Sequence, residues 1–130
     1  MKKIATLAAG MLAGLPVFAQ PLAPMAYTTV SQAYDALRAG GGAKFTQQED
    51  GWVVAVVEAG ADEGIWSFAP RNNPAFPAVV KRKVLEKDGK LYIAMDAICQ
   101  AKREPCDAMM TEFNRLNQEM VREMEKRRAK

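Results

Sequence analysis

Residues 78–127 read AVVKRKVLEKDGKLYIAMDAICQAKREPCDAMMTEFNRLNQEMVREMEKR, and this stretch decides the fold. Its first half is a hairpin. Ala78–Glu86 and Lys90–Ile98 are strand-like arms, and Asp88-Gly89 between them is the dipeptide that a tight hairpin turn demands. Leu91, Ile93, Met95 and Ala97 fall on one face, and Val80 and Val84 share a face with Arg82 between them, so one side of the sheet is expected to be wet. Its second half is a helix over Pro105–Arg127. Cys106, Met109, Phe113, Leu116, Met120 and Met124 recur in steps of three and four and make one apolar stripe. Pro105 suits a first helical position, where its missing N–H costs nothing. Asp107 and Glu112 lie toward the positive end of the helix dipole, and Lys126, Arg127 and Arg128 lie at the negative end. Such a helix is roughly 35 Å long. That exceeds the width of a small sheet, so its last turns are expected to project.

Upstream, Pro70–Pro77 holds three prolines in eight residues together with Asn72-Asn73, which forbids regular structure and reads as a stiff loop. Ile65–Ala69 before it is a strand with Trp66 and Phe68 on one face and Ile65 and Ser67 on the other. Trp52–Glu58 is apolar almost throughout and reads as a central strand, and Ala43–Glu49 is a short, mixed one joined to it through Asp50-Gly51. Thr29–Ala39 reads as a helix. Val30, Ala33, Tyr34 and Leu37 form its apolar face, Thr29 and Gln32 resemble a capping box, and Gly40-Gly41-Gly42 stops it. The order predicts an α+β domain: one antiparallel sheet of about five strands, with the N-terminal and long C-terminal helices sharing its apolar face.

The N-terminus carries an export pattern. Lys2 and Lys3 precede an apolar stretch from Ile4 to Val17, and Val17-Phe18-Ala19 is a small-residue cleavage site. The expected organisation is a signal peptide over 1–19, an extended leader over 20–28 and one domain over 29–130, with the mature protein in the periplasm or secreted. No other apolar run is long enough to serve as a transmembrane anchor. Of the chain's 18 basic residues two leave with the signal, so 16 face 15 acids and the net charge falls to +1. That is no electrostatic basis for binding nucleic acid. The chain has no histidine, which excludes Ser-His-Asp and Cys-His catalysis and His-based zinc sites.

Cys99 and Cys106 are the only cysteines, and in an exported chain a lone pair most simply forms a disulfide. The competing reading is a Cu(I) site with Met95, Met109 or Met110. Two further groups are candidates for binding. Trp66, Phe68 and Phe76 cluster in sequence around the Pro-rich loop with Arg71 among them, the residue types that dominate interface hot spots. Against this, Trp66 and Phe68 can be core and Phe76 can pin the loop, whereas Arg71 has no core reason to be there. Lys81-Arg82-Lys83 is either a basic edge for an anionic partner or an edge strand protected by charge. The acidic pairs Glu49-Asp50 and Asp62-Glu63 lack the spacing of an EF-hand loop.

Residues 65–70 (IWSFAP), residues 74–82 (PAFPAVVKR) and the two cysteines together resemble a group of small exported proteins of Gram-negative bacteria without assigned activity. The resemblance implies compartment and fold and transfers no site. The expected function is that of a non-catalytic periplasmic module binding another exported protein or peptide, of which an inhibitor or immunity-type protein is a specialised form. The alternative is a small-ligand or metal carrier. No cofactor is implied.

Overall fold

The structure is a computed structural model and describes residues 25–129. The expected signal peptide and the first part of the leader lie outside the described residues. Seven elements follow in order: α1 (Val30–Gly40), β1 (Ala43–Gln47), β2 (Val53–Val57), β3 (Gly64–Phe68), β4 (Ala78–Lys87), β5 (Lys90–Cys99) and α2 (Arg103–Ala129). The Thr29 hydroxyl accepts from Gln32 N, and the Gln32 side chain accepts in turn from Thr28 N, one residue earlier than a standard capping box. At the other end of α1, Gly41 takes a left-handed φ of 76° and ends the helix.

The five strands form one antiparallel meander in the order β1-β2-β3-β4-β5. The hairpin turn has both Asp88 (φ 53°) and Gly89 (φ 80°) in the left-handed region, the geometry that matches the twist of the flanking strands. The register aligns Ala55, Trp66, Lys81 and Asp96 across one face, and Val54, Ser67, Val80 and Ala97 across the other.

The two helices lie on opposite faces, which corrects the expectation that they share one. Ala33 and Leu37 of α1 pack on Ala55, Trp66, Phe68 and Val79. Met109 and Phe113 of α2 pack on Ala78 and Val80, with Trp52, Met95 and Ala97 around them. The reason lies in β4. Val79 and Val80 are neighbours in sequence, so they point to opposite faces, and both are 0% exposed. The sheet is therefore apolar on both sides at its centre, and each side needs its own cover.

A second correction concerns the end of α2. Its 27 residues span about 40 Å, yet the last turns do not project. β4 and β5 have ten residues each and outrun β3, whose pairing with β4 ends at Arg82. The long hairpin runs under the helix to its tip. Glu125 Oε2 accepts from Leu91 N at 3.1 Å, and Arg128 donates to the Gly89 carbonyl at 3.1 Å and to Glu86 at 3.3 Å.

Cys99 and Cys106 form a disulfide, with Cα atoms 5.9 Å apart. It joins the end of β5 to the first turn of α2 and sets the angle at which the helix turns back over the hairpin. The thiolates needed by a Cu(I) site are therefore absent. Closing so short a loop removes denatured-state entropy worth about 2–3 kcal/mol. Replacing both cysteines by serine is expected to lower Tm by roughly 10–20 °C, and thermal unfolding followed by circular dichroism checks it. A shift below a few degrees would show that the helix angle is fixed without the bond.

Candidate functional site

The Pro-rich loop is rigid because its backbone groups are satisfied locally. Ala69 N donates to the Ala78 carbonyl, Asn73 N to Pro70 and Phe76 N to Asn73, while the Asn73 side chain accepts from Ala75 N at 2.8 Å. Ala75 is buried, and the Phe76-Pro77 peptide bond is cis. The loop is tied to the start of α1 through Gln100, the residue after β5. Gln100 N donates to the Pro77 carbonyl, and the Gln100 side chain accepts from Val30 N at 2.9 Å, which holds the start of α1 against the loop.

Between α1 and this loop lies a groove of about 720 Å³, within the size range of ligand sites. Tyr34 and Asp35 form one wall, Pro70, Arg71 and Phe76 the other, and Val53 and Phe68 lie in its floor. Arg71 stands over the Phe76 ring at 5.8 Å from its centroid, and Phe76 remains 37% exposed. Tyr34 packs edge-on against Phe68 (5.2 Å) and Phe45 (5.4 Å), and the Arg38 guanidinium lies 5.0 Å from the Phe45 ring. The groove thus offers an aromatic floor with one cation and one carboxylate on opposing rims.

The expected site residues separate into two fates. Arg71 and Phe76 are surface groups on the rim of this groove. Trp66 and Phe68 are core: Trp66 is fully buried, and its Nε1 donates to the Asp62 carbonyl at 2.8 Å. A residue with no accessible surface cannot touch a partner, so Trp66 leaves the binding set, and Phe68 reaches the groove only as part of its floor. Tyr34, Asp35 and Gln100 join it. Tyr34 reads in sequence as an ordinary member of the α1 stripe, and Gln100 contacts α1 across 70 residues of chain, so neither carries a local signal.

Lys81 and Arg82 do not lie on an edge, because β4 is paired there with β3 on one side and β5 on the other, whereas Lys83 lies just past the end of the β3 pairing. The three charges serve separate places. Lys81 is buried with its Nζ 5.1 Å from the centre of the Trp66 ring, and it reaches the Ala61 carbonyl at 3.4 Å. Burial pushes this ammonium below the ordinary lysine value, with nearby Asp62 opposing. Lys83 pairs with Glu63 at 3.6 Å. Arg82 points to the opposite face, toward α2. The acidic pair Asp62-Glu63 is likewise occupied: Asp62 accepts from the Tyr27 hydroxyl at 2.8 Å, which pushes the tyrosine above its ordinary value. Among the described residues no helix is long and apolar enough to cross a membrane.

No protein-family model matches the chain, and neither a curated protein nor a solved structure does so at a significant level.

Proposed function

We propose that the chain is a non-catalytic binding protein that acts in the periplasm or outside the cell and recognises another exported protein or peptide in the groove between α1 and the Pro-rich loop. The observation that carries the reading is the exposed Arg71–Phe76 pair, held on a loop whose own hydrogen bonds fix it, over an aromatic floor. A preorganised arginine and aromatic pair binds without first losing conformational freedom, and these residue types supply much of the affinity at interfaces. The export pattern of residues 1–19, the disulfide and the resemblance to small exported proteins support the compartment. An inhibitor or immunity-type protein is the specialised form of this reading.

Selecting displayed peptides on the immobilised mature protein tests it. The selected peptides are expected to lose at least tenfold in affinity with Arg71→Ala and with Phe76→Ala, a change of about 1.4 kcal/mol or more. Both variants should keep the wild-type Tm within a degree or two, because neither side chain is buried. Equal binding by wild type and both variants would remove the site from the groove.

A further inference from the structure

The face of the sheet under α2 is covered on one half only. Helix α2 lies over β4 and β5, and beside it a second groove of about 580 Å³ opens over β2 and β3. Val54, Val56 and Ile65 floor it, Leu116 and Met120 wall it from the helix, and Trp52 closes one end. Val56 is left 37% exposed by this arrangement. One cation stands in the apolar lining. Arg82 is in register with Ile65 on the neighbouring strand and reaches under α2.

Among the described residues, that guanidinium has no counter-ion. NH1 donates to Asn117 Oδ1 at 3.2 Å, the Phe113 ring lies 5.0 Å away, and Nε is buried without a hydrogen-bond partner. Among the described residues no carboxylate comes within 4.0 Å of it. The two acids that line the groove are engaged elsewhere. Glu112 is held by both Arg115 Nε (3.1 Å) and NH2 (2.6 Å), and Asp50 accepts from Trp52 N at 3.2 Å in its own turn. Desolvation disfavours the charged form of Arg82, yet a guanidinium keeps its proton at any working pH. A partly desolvated, permanent charge with an unsatisfied donor is costly unless an anion approaches it.

We propose that this groove is a second binding site, for an amphiphile with a single carboxylate and an aliphatic tail, with Arg82 receiving the carboxylate. The tail lies over Val54, Val56 and Ile65 beneath Leu116 and Met120. One cation with no second positive group beside it matches the single charge of a carboxylate better than the double charge of a phosphate monoester. An aliphatic tail also suits the floor, where the strand amides are already paired within the sheet and offer nothing to a peptide backbone. The site is separate from the Arg71 groove, which lies on the other side of the sheet.

Titration calorimetry and native mass spectrometry of the full mature protein, with decanoate and decanol below their aggregation limits, test the proposal. Decanoate is expected to bind at least tenfold more tightly than decanol. Arg82→Met is expected to abolish that difference, Arg82→Lys to restore part of it, and Arg71→Ala to leave it unchanged. Val56→Asp should weaken both ligands, since it places a carboxylate in the tail's path. Unfolding curves show that each variant is folded, and Val56→Asp carries the test if Arg82→Met is not. Equal affinity for the two ligands, no binding of either, or undiminished decanoate preference in Arg82→Met would overturn the proposal. So would a wild-type dimer that Val56→Asp converts to monomer, because a second copy would then fill the groove.

Discussion

Trp66→Ala is expected to remove about 3–5 kcal/mol of folding stability, the largest loss available from one side chain in this fold. Trp66 is 0% exposed and lies at the centre of the layer between α1 and the sheet, among Ala33, Leu37, Ala55 and Phe68. Three contacts beyond area burial depend on its ring. Tyr27 packs edge-on at 6.0 Å, Lys81 holds its Nζ against the ring face, and the Asp62 carbonyl accepts the indole N–H. Truncation leaves a cavity that Ala33 and Ala55 are too small to fill, and it strips the cover from the buried Lys81 ammonium. Against a total stability of about 5–15 kcal/mol for a domain of this size, such a loss leaves the variant partly unfolded or close to it. Urea denaturation with circular dichroism measures it. Trp66→Phe should cost less, about 1–3 kcal/mol, because most of the apolar surface stays and chiefly the hydrogen bond to Asp62 is lost. A loss below 1 kcal/mol for Trp66→Ala would mean that the α1 face of the sheet is not the main core.

Gly64→Ala is expected to destabilise by at least about 2 kcal/mol, through two independent causes. Gly64 starts β3 with φ at 145°, a conformation that side chains other than hydrogen rarely tolerate. A Cβ there would also stand 2.8 Å from the Arg82 carbonyl oxygen, and backbone in the middle of β4 cannot retreat without breaking its pairing. Gly42→Ala is the control. Its φ is ordinary and nothing lies within 4 Å of its added methyl, so it should be neutral or slightly stabilising. The same urea titration distinguishes the two, and equal midpoints for both variants would contradict the tight approach of β3 to β4.

The elements that were legible in the sequence are those with local causes. The β4–β5 hairpin is written in Asp88-Gly89, since few other dipeptides accept two left-handed residues. Helix α2 is written in its stripe from Met109 to Met120, and α1 in Thr29, Gln32 and the glycines after Ala39. The Cys99–Cys106 bond follows from having two cysteines and no third. What the sequence hid was relational. Val79 and Val80 show that β4 is apolar on both faces, but assigning a helix to each face requires knowing where the chain crosses. Lys81-Arg82-Lys83 looks like an edge because charge is rare inside sheets. Lys81 escapes that rule by setting its ammonium over the face of the Trp66 ring. Arg71 and Phe76 stood out because nothing in the core explained Arg71. Tyr34, Asp35 and Gln100, which complete the groove, stand far from the loop in sequence and carry no mark of it.

Site-specific photocrosslinking in cells that make the protein tests directly whether the Arg71–Phe76 rim meets a partner. A photoreactive phenylalanine analogue is placed at position 76 and, in a second strain, at position 84, which has nearly the same exposure on the far hairpin. A discrete adduct of higher mass is expected from position 76, lost when Arg71→Ala is added, and none from position 84. No adduct at 76, or equal adducts at both positions, would contradict a partner contact at this rim.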